Sequence, residues 1–379
     1  MLTVIFFVQF LIRLLAGPLL PAIENDLSLS HSQSGICILL IGMGIFFSQL
    51  VAPFLAAKLG FRRCITLSLF GASIAAIIIG LSRSIWSLDA GYICLGFTAG
   101  LYAPSGISLI MVLVDHRDWG KAMGIHEIAP NLALIFAPVL ATATVGLGSW
   151  RQGYLYLSII LAILWVIHMM WGTDSIERPT PPDLGILKRL MVKSSFWKTS
   201  ALLSLAVGIE TGVYSMTPLF FVNERDFSLV DANHLLSMSR IPSLLMVILS
   251  GWLTDRFSAS KMVRISFALT GLSVFLLGVC PSSWLELMLY FQAAFSACLF
   301  PPLLSIISKI TTSTNRALLL SLTLAIAPVL GGGIFPALIA IVGEYGTFSS
   351  GFMCAGLLSI TGILMLPDSK QTIIANSIK

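Results

Sequence analysis

Twelve apolar stretches, most of about 20 residues or more, follow one another along this chain, and that length decides most of what it can become. They fall at roughly 2–23, 33–57, 63–82, 85–114, 121–147, 151–171, 198–222, 230–254, 262–281, 284–309, 317–342 and 347–366. A helix rises about 1.5 Å per residue, so such a stretch crosses a bilayer core of about 30 Å. Lipid offers no partner to a bare amide or carbonyl, so a crossing segment has to be helical. Composition points the same way. Of 379 residues, 57% are hydrophobic and 10% are charged, with a mean hydropathy of +0.95. A soluble domain carries about 25% charged residues. The expected fold is an all-α membrane protein with twelve transmembrane helices.

The net charge of +5 is modest and not gathered as a nucleic-acid patch would be, so no nucleic-acid partner is expected. Cys37, Cys64, Cys94, Cys280, Cys298 and Cys354 lie in or beside apolar runs, and none forms a CxxC. They read as small buried hydrophobes, not as metal ligands or disulfides. The first residues lack the basic start and small-residue cleavage site of a signal peptide, and Arg13 interrupts their apolar run. The chain enters that run at Met1, which leaves open whether a short leader precedes it.

Most of the 22 Lys and Arg residues fall in one set of loops, while the opposite set holds only Arg83, Arg151 and Arg225. The basic side is the cytosolic one, which puts both termini in the cytosol, in a bacterial inner membrane. Residues 172–197 are rich in proline (Pro179, Pro181, Pro182) and then basic, with an amphipathic "LGILKRLM". This reads as a cytosolic linker between two six-helix bundles, 1–171 and 198–379.

The two halves resemble each other at a shift of about 198 residues. "LYAP" from Leu101 matches "LFPP" from Leu299, and Pro130 and Pro138 match Pro328 and Pro336. "PFLAAKLGFRR" from Pro53 matches "GWLTDRFSASK" from Gly251. Two parallel repeats with a solute site between them at mid-depth are a recurrent transporter plan.

On these residues the chain resembles the major facilitator superfamily over nearly its whole length. The family's loop signature is G-x-x-x-D-R/K-x-G-R-R/K. Its second copy keeps Gly251, Asp255 and Arg256; its first keeps Lys58, Gly60 and Arg62 but has Pro53 and Ala57 at the Gly and Asp positions. The resemblance implies a charged gating loop on the cytosolic side, weakened in the first half by the lost acid. An antiporter signature in the fifth segment survives only as Gly124 and Pro138, with Ala133, Ala137 and Ala141 elsewhere, and reads as close helix packing.

Charge near the bilayer centre costs several kcal/mol, about 2.5–3.5 on insertion scales, and so needs a partner or a wet cavity. Four such residues occur: Arg13, Glu127, Glu210 and Arg240. Arg13 and Glu210 lie about 16–18 Å into their segments, Glu127 about 9 Å and Arg240 about 15 Å. The resemblance implies that Arg13 neighbours Glu127, and Glu210 neighbours Arg240. Residues four apart share a helix face, so Gln9 with Arg13, Asn131 with Glu127 and Tyr214 with Glu210 form polar stripes. Such stripes are expected to line a hydrated interior. Ser237 and Ser243 flank Arg240 more weakly. The stretch "GIHEIAPNLALIFAPVLA" sets His126 beside Glu127, about 100° round the helix. His126 is expected to face a neighbouring helix or the cytosolic mouth, as a proton site or a hydrogen-bonded histidine. His168 is expected at the membrane interface. Tyr102 and Phe300 occupy matching positions, as a cavity wall or as core.

The expected function is secondary transport by alternating access. No GxxxxGKS run signals an ATP-driven motor, and no cofactor, metal site or enzymatic constellation emerges. Arg13 and Arg240 favour a small anionic solute, with Gln9, Asn131, Tyr214 and Tyr102 around it. Glu127, Glu210 and His126 are the expected proton carriers, and the chain is expected to act as a monomer. If both ion pairs stay closed, a neutral or amphipathic solute exported against protons fits better. A sensor or scaffold that moves nothing is the reading from a different class.

Overall fold

The computed structural model describes residues 1–174, 185, 189, 191–310 and 322–366. Most of the 172–197 linker and the last thirteen residues lie outside the described residues. Among the described residues, twelve helices are long and apolar enough to cross a membrane. They are α1 (Leu2–Leu27), α2 (His31–Leu59), α3 (Phe61–Gly80), α4 (Ile85–Leu113), α5 (His116–Gly146) and α6 (Arg151–Trp171) in the first half. The second half has α7 (Phe196–Glu224), α8 (Leu229–Arg256), α9 (Ala259–Val279), α10 (Ser282–Ile307), α11 (Leu322–Tyr345) and α12 (Phe348–Met365). The bounds follow the apolar runs within a few residues, while the expected start of the eleventh, 317–321, lies outside the described residues.

Several helices are interrupted, and proline accounts for where. A proline has no N–H and its ring crowds the carbonyl four residues before it. Pro18 crowds Leu14, and α1 breaks at Leu15 between Leu2–Leu14 and Ala16–Leu27. Pro104 crowds Gly100, and α4 breaks at Leu101. Pro301 crowds Ala297, and α10 breaks at Cys298 and Leu299. The breaks at Leu101 and Leu299 are equivalent positions of the repeat. α8 breaks at Arg240, just before Pro242. Two π-turns complete the set, Gly208–Gly212 in α7 and Leu330–Ile334 in α11.

The bundles meet along a seam that is tightest at one end. Gly17 of α1 lies against Ser215 of α7, where an added Cβ would sit 2.7 Å from the Ser215 Cα. In α2, Gly35 faces Ala337 and Ala340, and Gly42 faces the Pro328 carbonyl, each with 2.7 Å to the nearest atom. Glu344 of α11 accepts from the Ser32 N–H at the start of α2 (2.7 Å), and His31 lies 4.9 Å from the Phe348 ring. Asn233 of α8 donates to the Pro18 carbonyl (3.2 Å), and Ser237 to the Ile135 carbonyl (2.8 Å). Toward the other end the seam opens. Gly120 and Gly124 of α5 and Gly251 of α8 have nothing within 4 Å of an added Cβ.

The sealed end also carries a matched pair of acid staples. Asp26, at the end of α1, pairs with Arg151 (2.7 Å) and accepts from the Trp150 indole (3.3 Å) where α6 begins. Glu224, at the end of α7, accepts from the Phe348 and Ser349 amides where α12 begins. Asp26 and Glu224, Trp150 and Phe348, and Arg151 and Ser349 are all equivalent across the repeat.

Forcing a side chain into the sealed seam tests its closure. Overpacking costs about 1–3 kcal/mol, or about thirtyfold in population at the middle of that range. In Gly42→Leu, a cysteine placed at Ser215 in a cysteine-free background is expected to react at least several-fold faster with a polar thiol reagent. An unchanged rate would mean that this contact does not hold the end shut.

Candidate functional site

Arg13 stands at the end of the first half of α1, two residues before the break. Its Nε donates to the Gln9 carbonyl (3.1 Å), and its guanidinium lies 4.4 Å from the centre of the Phe10 ring. Arg240 is the break residue of α8 and only 2% exposed. Its Nη2 donates to Gln292 Oε1 (3.3 Å), and Gln292 Nε2 in turn donates to the Ile209 carbonyl in the π-turn of α7 (2.8 Å). Arg240 Nε and Nη1 are buried with no hydrogen-bond partner. Among the described residues, no carboxylate lies within 4 Å of either guanidinium.

The implied pair of Arg13 and Glu127 is therefore not formed. Depth explains it. His126 stacks on Phe6, so this part of α5 lies level with Phe6, seven residues before Arg13. Seven residues are about 10 Å of helix. Glu127 turns instead to His126, with Oε1 3.3 Å from Nδ1, and is half exposed. The 100° separation did not keep the two side chains apart. Asn131 folds back to donate to the Glu127 carbonyl (3.0 Å).

Glu210 sits in the π-turn Gly208–Gly212, half-buried, and acts on Arg240 through space without closing an ion pair. A π-turn of this kind often marks a functional position. Tyr214, one turn on, is fully buried, with the Arg240 guanidinium 5.1 Å from its ring centre. Its hydroxyl donates to the Leu134 carbonyl of α5 (3.2 Å). Pro138 removes the amide that would normally occupy that carbonyl. Tyr214 is thus a strut between the bundles, not a free cavity group.

Two expectations for the first bundle are corrected. Gln9 is fully buried and donates to Ser68 of α3 (3.0 Å), so it faces the bundle's own core and not the interior shared with Arg13. Tyr102 is fully buried as well, bonded to the Leu2 carbonyl (2.6 Å) and to His126 Nε2 (3.2 Å), so it is core and not an open wall. His126 is buried against α1 and α4, as a neighbour-facing histidine. His168, in the last turn of α6, is also buried, with Nδ1 3.1 Å from Thr66.

The loop signature behaves differently in its two copies. Gly60 takes φ 86°, a left-handed value that favours glycine, and closes α2. Asp174, just after α6, lies beside Gly60 and accepts from the Arg62 amide (3.2 Å). Arg62 Nη2 donates to the Met169 carbonyl (2.6 Å). Asp174 thus supplies a carboxylate near the place where the first copy has Ala57. Lys58 ends α2 beside this loop. In the second copy, Asp255 and Arg256 are exposed, and Arg256 lies 5.2 Å from the centre of the Trp252 ring. Gln292 and Asp174 were missed from sequence. A lone glutamine inside an apolar segment could have flagged Gln292; nothing local flags Asp174.

Comparison with known proteins places this architecture. The family model described as Major Facilitator Superfamily matches residues 2–249 and 226–376. The uncharacterized transporter YebQ of Escherichia coli is 22% identical over 182 residues, 48% of this chain and 40% of that protein. The probable nitrate/nitrite antiporter NarK1 of Thermus thermophilus is 26% identical over 282 residues, 70% of this chain and 63% of that protein. The matched region thus spans less than two thirds of either relative. A bacterial homolog of the human lysosomal transporter Spinster, solved inward-facing and unoccupied, superposes with a TM-score of 0.76 at 16% identity, covering 99% of this chain and 95% of that one. A D-xylose-proton symporter superposes at 0.78 and 14% identity, covering 97% and 98%. With its twelve apolar helices, the protein is an integral multi-pass membrane protein. The chain belongs to the major facilitator superfamily.

Proposed function

We propose that the protein is a secondary transporter that moves a small organic anion by alternating access, coupled to protons. One observation carries this reading: both mid-depth guanidinium groups, Arg13 and Arg240, lack a carboxylate within 4 Å among the described residues. Buried, unpaired guanidinium is costly and is relieved by a bidentate carboxylate or phosphate. The efflux reading for neutral solutes needs the opposite, two closed pairs. The Thermus relative's name, a nitrate/nitrite antiporter, is that of an anion carrier and agrees.

The roles then divide. Arg13, two residues before the break of α1, and Arg240, at the break of α8, hold the anion. Glu210 lies near Arg240 without closing on it, so an incoming anion competes with its carboxylate for the same cation. Displaced from that charge, Glu210 takes a proton more readily. Glu127 and His126 form a second proton-holding pair nearer the open end. The basic loops put that open end in the cytosol of a bacterial inner membrane, with both termini on that side and the protein acting as a monomer. The charged loops around Lys58, Gly60 and Arg62, and Gly251, Asp255 and Arg256, gate that end.

A thermal-shift screen of carboxylate and phosphate metabolites at two pH values identifies the solute. Arg13→Ala is expected to abolish the shift. Arg13→Lys keeps charge but loses the two-point fork, which weakens half-saturation about tenfold or more. Stabilisation by neutral amphipaths alone, unaltered in both variants, would favour the efflux reading instead. In proteoliposomes, Glu210→Gln is expected to lose uptake driven by a pH gradient while keeping solute counterflow. No counterflow with any stabilising solute would leave the sensor reading standing. Orientation has its own check: in intact cells, an impermeant thiol reagent is expected to label a cysteine at Arg83 and to spare one at Arg117.

A further inference from the structure

The hydrogen bonds around His126 can be counted, and the count leaves one proton over. Tyr102 has a single hydroxyl hydrogen. The short 2.6 Å contact to the Leu2 carbonyl takes it, because a carbonyl can only accept. The same oxygen lies 3.2 Å from His126 Nε2 and must then accept there, so Nε2 carries a hydrogen. A neutral imidazole with its hydrogen on Nε2 presents a bare lone pair at Nδ1. Yet Nδ1 faces Glu127 Oε1 at 3.3 Å, and an ionised carboxylate is also only an acceptor. Two acceptors cannot hold each other. The contact as built requires a proton between them, as imidazolium with carboxylate or as imidazole with carboxylic acid.

We propose that His126 and Glu127 hold one shared proton, and that Tyr102, by fixing the imidazole as its Nε2–H form, makes that proton the only link between them. Loss of the proton leaves a lone pair against a carboxylate, and the half-exposed Glu127 separates from the ring toward the open end. The atoms balance: one proton passes from Nδ1 through Glu127 to water, and nothing else changes. Phe6 seals the arrangement, with its ring 4.3 Å from His126 and 5.3 Å from Tyr102, nearly parallel to both. The groups facing the unit are few. α4 offers Tyr102, α5 offers Glu127, and α1 offers Phe6 and a backbone carbonyl. His168 of α6 lines a cavity of about 380 Å³ with Met1, Leu2, Thr3 and Ile125. Lys121, earlier on α5, is engaged with Asp118 at 2.8 Å. Use of this proton in transport rests on the proton-coupled reading above, whereas the switch itself is read without any solute.

The test is a titration of the full chain in lipid nanodiscs, labelled with 15N-histidine, with His126 identified by the signal missing in His126→Asn. As the pH is raised, the wild type is expected to pass from imidazolium to the Nε2–H form. In Tyr102→Phe the neutral ring is free to place its hydrogen on Nδ1 and donate to Glu127, so the tautomer is expected to reverse. In Glu127→Gln the amide can donate to Nδ1 without an extra proton, so His126 is expected to stay neutral, its transition displaced more than tenfold in proton concentration. A wild-type neutral form with hydrogen on Nδ1, or a transition unchanged by Glu127→Gln, overturns the proposal. If Tyr102→Phe fails to fold, the other two measurements decide. Loss of solute binding in the Arg13 variants bears on the transport reading alone.

Discussion

A proline amide carries no hydrogen, and inside a bilayer no water stands ready to replace it. Much of this structure follows from where that happens. Pro18, Pro104, Pro301 and Pro242 each stand a few residues after the point at which a membrane helix is interrupted. The interruptions lie at mid-depth, and Arg13 and Arg240 sit beside two of them. Pro138 frees the Leu134 carbonyl for Tyr214, which ties α7 of one bundle to α5 of the other. The same chemistry that weakens individual helices thus supplies hinges, a cross-bundle bond and polar surface for buried charge.

The four charges inside the membrane helices do not neutralise each other pairwise. In the first bundle, a difference in depth of about 10 Å separates Arg13 from Glu127. In the second, Arg240 is turned toward Gln292, whose other end is fixed to the π-turn that carries Glu210. Gln292 holds the guanidinium in place without cancelling its charge, because an amide oxygen accepts but is neutral. A cation kept this way keeps its charge uncancelled. A salt bridge closed on both sides would not leave it so.

Helix number, helix bounds and repeat were legible in the sequence, because run length and mid-helix proline act locally. The site was legible only in its residue types. Spacing of four placed Gln9 and Arg13 on one stripe, but Gln9 is held by Ser68, itself fixed to the Thr98 carbonyl, in its own bundle. Tyr102 and Phe300 are equivalent in sequence, yet Tyr102 is taken by a histidine that has no counterpart in the second half, where Ile265 to Ile339 contains none. Which neighbouring helix a side chain meets depends on relative depth and rotation, and neither is written in one helix's periodicity. Asp174 is the clearest case, since its value comes from a loop more than a hundred residues earlier.

The paired acid staples at the sealed end bear on how a bundle can deform. Asp26 fastens the far end of α1 to α6, and Glu224 does the same for α7 and α12. Each half is therefore a ring of helices clasped at one rim. Bending at Leu15 then has only one free arm, Leu2–Leu14, which carries Arg13 close to its pivot. A lever loaded near its fulcrum moves its tip far and its load little, so the mouth can widen while the guanidinium keeps its station.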